Sequence, residues 1–324
     1  MIVSFGGPEG PDDVVPFLQN VTRGRNVAPE RLRVVAEQYA QFGGISPINA
    51  QCRQLIEKLT DEFAAHDVGL PIYWGNRNWH PFLIDTLQQM RDDGVRRALA
   101  FITSPYSSYP SCRQYLEDIA QACEQIGAGA PEVHRLRHYF DHPGFIDPMS
   151  RNVAEALARV TRDPEPALLF SAHSIPTAMA QASDYEAQLR EVARLVSAAA
   201  MPGRDWTLVW QSRSGPPGVP WLEPDIGDQL AMVAGAGTRS VVVAPIGFIS
   251  DHMEVVFDLD VQAAERAAAL GLEFVRAATV GVAPEFVSMI RELVEERLDP
   301  ATPHRSLGQL GRRPECTTPC CLMR

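Results

Sequence analysis

The chain has 324 residues, of which 45% are hydrophobic and 21% are charged, as in ordinary globular proteins. At roughly 100–200 residues per domain, this length predicts two domains or one large domain. A formal net charge of −11 argues against a general binder of nucleic acid or anionic membranes, since both functions need a basic surface.

Short apolar runs alternate with longer amphipathic segments, the pattern of βαβ units in a parallel sheet. Strands are predicted over residues 1–5, 71–74, 98–103, 132–137, 167–172, 206–211, 240–245 and 273–276. Helices are predicted over residues 46–65, 81–93, 113–126, 146–160, 185–199, 252–269 and 284–297. The sequence therefore predicts the α/β class.

Four predicted strands precede residues 141–144 and four follow them, which predicts two similar α/β halves facing each other across a cleft. We place an N-terminal domain at residues 1–142, a C-terminal domain at 143–283 and an irregular, cysteine-bearing tail at 299–324. The sequence leaves open which half the last helix, 284–298, packs on; it could complete the N-terminal domain. A ligand site is expected in the loops beyond the carboxyl ends of the strands.

Targeting signals are not evident in the sequence. No apolar run reaches the ~18 residues that cross a bilayer, and the N-terminus has no basic flank of the kind that opens a secretion signal. We therefore expect a cytoplasmic protein without an integral membrane segment, whose six cysteines stay reduced.

The first glycine turn, Phe5-Gly6-Gly7-Pro8, only superficially resembles a phosphate-binding loop. It lacks the spacing of G-x-G-x-x-G and of the P-loop, and Pro8 removes a backbone amide that would face a phosphate. We expect no nucleotide cofactor.

Two segments carry residues suited to proton transfer or metal binding. His173 stands at the carboxyl end of an apolar strand, where an imidazole can act as a base or ligate a metal; a structural histidine is the alternative.

The second segment is acidic. Asp251, Glu254 and Asp258 are spaced i, i+3, i+7, which would place them on one stripe of a helix, with His252 beside them. Such a stripe could bind a hydrated divalent cation or relay protons. Alternatively, Asp251 and Glu254 are simply an N-terminal capping pair.

Three of the six cysteines, Cys316, Cys320 and Cys321, crowd the last nine residues. One further ligand would complete an iron–sulfur or zinc site, because both favour four thiolate-type ligands. Cys112, in a strand-end loop, is the best candidate for that ligand. The alternative is a tail with idle thiols, although exposed thiols are reactive liabilities.

Together these features resemble the ferrochelatase family, especially its actinobacterial type that makes coproheme. The resemblance covers essentially the whole chain, with several long motifs in the family's order. The motifs are Ser4-Phe5-Gly6-Gly7-Pro8, Thr22-Arg23-Gly24-Arg25, Gly43-Gly44-Ile45-Ser46-Pro47, Ser171-Ala172-His173-Ser174-Ile175-Pro176, Trp210-Gln211-Ser212, Pro220-Trp221-Leu222-Glu223-Pro224-Asp225 and Gly247-Phe248-Ile249-Ser250-Asp251-His252-Met253-Glu254.

The resemblance implies two Rossmann-like domains, each a parallel β-sheet flanked by helices, with a porphyrin cleft between them. It implies that His173 is the catalytic histidine and a metal ligand, and that Glu254 is its catalytic and metal-binding partner on the opposite face of the ring. Asp251, His252 and Asp258 fall on the family's acidic helix, often distorted to a π-type turn, and are expected to relay protons or iron.

The resemblance also implies a set of porphyrin-binding residues: Phe5, Arg23, Ser46 and Tyr115. Many bacterial relatives have a tyrosine where this chain has Phe5, and phenylalanine cannot supply an axial tyrosinate to iron. Some family members hold a [2Fe–2S] cluster with three C-terminal cysteines and one from the N-terminal half. That pattern implies a cluster on Cys112, Cys316, Cys320 and Cys321.

The function expected from this resemblance is insertion of Fe²⁺ into coproporphyrin III to form coproheme in heme biosynthesis. Its partners would be the porphyrin and ferrous iron, both as substrates. The alternatives are a protoporphyrin IX ferrochelatase, a cobalt or nickel chelatase of a reduced tetrapyrrole, and a non-enzymatic two-domain binding protein. The sequence leaves the oligomeric state open.

Overall fold

The computed structural model describes residues 1–24, 27–162, 165–215, 218–310 and 321. These residues form eight strands, each overlapping a predicted one: β1 (Ile2–Ser4), β2 (Trp74–Asn76), β3 (Arg97–Ile102), β4 (Glu132–Arg135), β5 (Ala167–His173), β6 (Thr207–Gln211), β7 (Ser240–Ala244) and β8 (Glu273–Arg276). The α-helices are α1 (Pro11–Val21), α2 (Pro29–Ala40), α3 (Ile48–Ala65), α4 (Leu83–Asp92), α5 (Gln114–Ile126), α6 (Pro143–Ala158), α7 (Thr177–Gln181), α8 (Tyr185–Ala200), α9 (Ile226–Gly235), α10 (Met253–Val255), α11 (Ala264–Ala269) and α12 (Pro284–Leu298). Two further segments, Tyr109–Arg113 and Val256–Ala263, are π-helical.

The strands form two four-stranded sheets with the same internal order, β2-β1-β3-β4 and β6-β5-β7-β8. Every pairing within each sheet is parallel. The predicted α/β class, with four parallel strands in each half, is therefore confirmed.

Contacts divide the chain into two compact units. The first unit contains Met1–Thr103, Gln114–Leu136 and Asp251–Met253, and the second contains Ser104–Arg113, Arg137–Ser250 and Glu254–Arg324. Helix α12 packs against α6 within the second unit. Each unit therefore contains a short segment from the other half of the sequence. Ser104–Arg113 belongs to the second unit, and Asp251–Met253 belongs to the first.

Each sheet buries its own apolar core. In the first unit, Val3 of β1 packs with Leu87 of α4 and Ile119 of α5. In the second unit, Val243 of β7 and Leu230 of α9 lie in the same core. The central strand β7 is buried along its whole length, as expected when helices cover both faces of a parallel sheet. Burying each such side chain contributes roughly 1.5–3 kcal/mol, which holds the strand ends in fixed positions.

Four observed helices, α1, α2, α7 and α9, were not predicted. Helix α1 carries Pro16 in its interior and α2 starts at Pro29, and proline disfavours the helical interpretation of a sequence. Within the part of the chain that the structure describes, no helix is long and apolar enough to cross a membrane.

Candidate active site

His173 is held at the carboxyl end of β5 in the second unit. It pairs in register with Gln211 of β6, and the Tyr185 hydroxyl donates a hydrogen bond to its backbone oxygen at 3.0 Å. Gly247, after β7, packs so closely that a Cβ there would lie 2.7 Å from the Cα of Ala172. Only glycine fits this approach, which brings the loop after β7 against the end of β5.

One tautomer of the His173 ring is fixed by its neighbours. Its Nδ1 lies 2.5 Å from the carbonyl oxygen of Ser174, which can only accept, so Nδ1 carries a proton. In the neutral ring, the basic atom is therefore Nε2, which lies 3.5 Å from Oε1 of Glu254. Burial is the largest influence and lowers the pKa of His173, but the Glu254 carboxylate, the Ser174 carbonyl and Asp258 together raise it above its usual value.

The expectation that His173 and Glu254 lie on opposite faces of a porphyrin is wrong. Atoms in contact with the two faces of a flat ring are separated by roughly 7 Å, twice the ~3.5 Å contact distance, whereas this pair is 3.5 Å apart. The physical reason is topological: β5 and β7 are neighbours in a parallel sheet, so segments that follow their carboxyl ends meet at one edge. His173 and Glu254 therefore lie on the same side of the candidate site.

The predicted helix over residues 252–269 is divided into α10, a π-helical segment and α11. Asp251 and His252 precede α10, and the Asp251 amide donates to Oε1 of Gln51 at 2.9 Å within the first unit. The prediction that one helical stripe carries Asp251, Glu254 and Asp258 is thus wrong for Asp251, because the chain is bound elsewhere before the helix begins. The π-helical distortion that the family resemblance implied is present.

Asp258 lies on the π-helical segment beside the end of β6. It accepts a hydrogen bond from the hydroxyl of Ser212, a non-glycine residue held at a φ of 62°. Burial raises the pKa of Asp258 to about 6, against the lowering effect of that hydrogen bond. Glu254 and Asp225 raise it further. This carboxyl group can therefore take up and release a proton close to neutral pH.

A cavity of about 370 Å³ opens beside the His173 loop within the second unit. Its lining is mixed polar and apolar, and the lining residues are Ser174, Trp210, Arg213, Leu222, Glu223, Pro224, Asp225 and Asp228. Burial raises the pKa of Asp225, and Asp228 adds to that effect. Three acidic side chains thus line the cavity with one basic side chain, that of Arg213.

In the first unit, Phe5 and Tyr115 are brought together by Arg77. The Arg77 side chain is 5% exposed and forms an ion pair with Asp118. Its guanidinium lies 4.5 Å from the centroid of the Tyr115 ring and 5.8 Å from that of Phe5. Burial raises the pKa of Tyr115, so its hydroxyl keeps its proton. Arg77 was not among the residues predicted from the sequence, although its position just after β2 matches that of Phe5 after β1.

The remaining predicted porphyrin residues also lie in the first unit. Ser46 is 3% exposed, and its amide donates to the Pro8 carbonyl at 2.8 Å. A Cβ on Gly7 would lie 2.6 Å from the Ser46 Cβ, so the glycine turn and Ser46 are packed together. Arg23 is exposed after α1 and donates to Oδ1 of Asn20 at 2.6 Å.

The structure describes two of the four predicted cluster cysteines. Cys112 is 1% exposed on the π-helical turn Tyr109–Arg113, and Cys321 is 7% exposed. Cys316 and Cys320 lie outside the described residues. Among the residues that are described, no group of three or more His, Cys, Asp or Glu side chains is placed to hold a metal ion.

Solved structures with the same fold include chelatases. CbiX, the terminal enzyme for siroheme biosynthesis in denitrifying bacteria, has a TM-score of 0.51 at 17% identity, covering 92% of this chain and 98% of that one. SirB from Bacillus subtilis with Fe³⁺ has a TM-score of 0.52 at 9% identity, covering 76% and 91%. At these identities the similarity shows the fold alone, which consists of duplicated Rossmann-like domains.

Sequence relatives are much closer. A protein named ferrochelatase from Rhodopirellula baltica is 54% identical over 99% of this chain and 92% of its own length. Proteins named coproporphyrin III ferrochelatase are 52% identical in Frankia alni, over 99% of this chain and 86% of that one, and 50% identical in Mycolicibacterium smegmatis, over 95% and 92%. A sequence model described as ferrochelatase matches residues 1–298. These matches confirm a metal-inserting enzyme over a non-enzymatic binding protein, and the chain belongs to the ferrochelatase family.

Proposed function

We propose that this protein inserts Fe²⁺ into coproporphyrin III and so forms coproheme. Metalation replaces two pyrrole N–H protons by one Fe²⁺, so the protein must accept two protons for each product. The relatives named coproporphyrin III ferrochelatase, about half identical over almost the whole chain, support this substrate. We place the reaction in the cytoplasm, because ferrous iron and thiols persist in a reducing compartment.

The observation that carries the proposal is the His173–Glu254 pair. With Nδ1 bound to the Ser174 carbonyl, Nε2 is the atom that takes a pyrrole proton. Glu254, 3.5 Å away, stabilises the imidazolium that forms and can receive the proton in turn. His173 and Glu254 are also the proposed ligands of the incoming metal, on that one side of the ring.

Further groups would remove protons or supply iron. Asp258, whose pKa is about 6, is suited to exchange protons between Glu254 and water. We retain Asp251 and His252, in the segment before α10, as proposed members of the same relay. A carboxyl group whose pKa lies near neutrality can accept and release protons in turn, which is the role proposed for Asp258.

The first unit would recognise the porphyrin. The Arg77 guanidinium is flanked by the aromatic rings of Phe5 and Tyr115, so it suits a propionate and the ring edge beside it. We propose Ser46 and Arg23 as further propionate contacts. Coproporphyrin III carries more propionates than protoporphyrin IX, so cationic and hydroxyl groups favour the former.

The test is steady-state insertion of Fe²⁺ into coproporphyrin III and protoporphyrin IX, measured side by side under anaerobic conditions. We expect kcat/KM to be at least about tenfold higher with coproporphyrin III, the discrimination given by one charge-assisted contact. A preference for protoporphyrin IX would overturn the substrate assignment. Faster insertion of cobalt or nickel into a reduced tetrapyrrole would overturn the metal assignment.

We also propose that Cys112, Cys316, Cys320 and Cys321 hold a [2Fe–2S] cluster. The burial of Cys112 and Cys321 supports this, because both thiols are kept from water and oxidants. The start of the tail is also anchored: the Leu307 amide donates to the Asp141 carbonyl at 2.9 Å, and the Gln309 amide donates to Glu191 at 2.6 Å. These hydrogen bonds hold the chain at Leu307 and Gln309.

Visible absorption of the anaerobically purified full chain tests the cluster. We expect charge-transfer bands that Cys316→Ser abolishes and that Cys52→Ser leaves unchanged, because Cys52, which is 4% exposed, lies outside the proposed ligand set. A colourless protein, or one with stoichiometric zinc, would contradict the cluster whatever its insertion activity.

A further inference from the structure

We infer that Gln211 is a positioning residue: its buried amide holds the main chain at Glu254 and thereby keeps the Glu254 carboxylate beside His173. This inference rests on the proposed roles of that pair. It concerns a side chain that touches neither metal nor porphyrin in the proposed reaction.

Gln211 contacts both partners of the pair through separate groups. Its side chain is 1% exposed, and its Nε2 donates to the carbonyl oxygen of Glu254 at 2.5 Å. Its own backbone oxygen accepts from the Ser174 amide at 2.8 Å, and it lies in register with His173 across the sheet. One residue therefore links the loop that carries the base to the turn that carries the carboxylate.

The orientation of the Gln211 amide is determined by these contacts. A carbonyl oxygen only accepts, so Nε2 must face Glu254 and Oε1 must point away from it. Oε1 is buried and makes no hydrogen bond to any residue that the structure describes. A buried acceptor without a partner destabilises a fold. An apolar side chain of the same size would avoid the free-energy cost of this unpaired oxygen. We therefore infer that the amide is present for its hydrogen bond to the Glu254 carbonyl.

The need for such a bond follows from the local backbone. Glu254 lies in the short turn Met253–Val255, immediately before the π-helical segment, and its side chain is 51% exposed. The next residue of the strand end, Ser212, binds Asp258 one helical turn further along. Gln211, the last residue of β6, and Ser212 after it thus hold the two successive carboxylates, Glu254 through its main chain and Asp258 through its side chain.

The experiment compares the Gln211→Met and Gln211→Glu variants with wild type in the full-length protein. Met keeps the volume without a donor or acceptor, and Glu keeps the acceptor without the donor. We expect kcat for metal insertion to fall roughly 10–100-fold in both, as a displaced catalytic group produces, with KM for porphyrin within about twofold. The Tm of Gln211→Met should stay within about 4 °C of wild type.

Gln188→Met is the matched control, because Gln188 is 3% exposed and its side chain accepts a hydrogen bond from the backbone amide of Ser107. The kcat of this variant should equal that of wild type.

A double-mutant cycle separates positioning from general disruption. In a Glu254→Ala background, Gln211→Met should change kcat by less than about twofold, because the carboxylate that it positions is gone. An equal loss in both backgrounds, or a rise in KM with unchanged kcat, would overturn the inference.

A crystal structure of Gln211→Met gives an answer that does not depend on activity. We expect the distance between His173 Nε2 and the Glu254 carboxylate to increase beyond the 3.5 Å of the wild type, and an unchanged pair would overturn the inference. A wild type that inserts no iron into coproporphyrin III would contradict the proposed function instead, and the structural comparison would still decide the role of Gln211.

Discussion

The two units share one topology but present different chemistry at corresponding strand ends. Phe5 follows the first strand of its sheet, and His173 ends the first strand of the other. Around Phe5 lie a guanidinium and aromatic rings, whereas around His173 lie carboxylates and a polar cavity. The parallel sheet thus fixes where a site can form, and the few residues beyond each strand decide what it does.

The two strand ends also differ in their electrostatics. Arg77 forms an ion pair with Asp118, and its guanidinium suits binding of an anionic group. His173 and Asp258 have pKa values that are both raised, the latter to about 6, so they change charge near neutral pH. We therefore expect substitutions in the second unit to change turnover and substitutions in the first to change porphyrin affinity.

The largest expected effect is that of His173→Ala. Loss of the general base should lower kcat by about 10³-fold, within the range for acid–base groups, while the Kd for porphyrin changes less than about threefold. Fluorescence titration and stopped-flow insertion assays measure the two quantities. His134→Ala, on β4 of the first unit, is the control for loss of a histidine. Near-normal turnover without His173 would remove the catalytic role from the second unit.

Glu254→Gln should lower kcat roughly 10–100-fold, because the imidazolium loses its counter-charge. The carboxylate raises the pKa of His173, so the pKa of the ring should fall in the variant. Since the base acts in its unprotonated form, the acidic limb of the kcat/KM profile should move to lower pH. The exposed Glu265→Gln on α11 is the control. An unaffected rate would mean that Glu254 only begins the helix.

Arg77→Met tests whether the first unit determines porphyrin affinity. We expect the KM for coproporphyrin III to rise about tenfold, the value of one charge-assisted hydrogen bond, with kcat within about twofold. Arg91→Met, which removes a partly buried arginine paired with Asp92 in the same unit, should leave both constants unchanged. If Arg77→Met instead lowered kcat alone, the division between a binding unit and a catalytic unit would fail.

Much of this architecture could be predicted from the sequence, because buried parallel strands are short apolar runs with turn residues after them. All eight observed strands overlap predicted ones, and His173 was located from its place at the end of β5. Helix α9 was missed because it is only ten residues long and ends in Gly235. The dependence of Glu254 on Gln211 could not be predicted, since a side-chain bond to a backbone oxygen leaves no pattern in the sequence.

The wrong prediction that His173 and Glu254 lie on opposite faces of a porphyrin has a different origin. The strand order that makes β5 and β7 neighbours places the segments after them at one edge. General rules for parallel sheets allow more than one strand order, so the sequence alone did not place His173 and Glu254 together. The division of the acidic helix into α-helical and π-helical parts, by contrast, depends on tertiary contacts such as that of Asp251 with Gln51.

The smallest expected effect concerns stability and Asp258. Burial raises its pKa from 3.8 to about 6, so between these values the folded state holds a proton that the unfolded state releases. Stability therefore falls as the pH rises through this interval and stays lower above it.

The Asp258→Asn variant tests this dependence. It removes the ionisable group and keeps an acceptor for Ser212, so its Tm should exceed that of wild type by roughly 2–5 °C at pH 8. The difference should vanish below the unfolded-state pKa of 3.8. Calorimetric scans across this range, with Glu265→Gln as control, measure it. An equal difference at every pH would mean that Asp258 is ionised in both states, and the second unit would then lose its proton-accepting carboxyl group near neutrality.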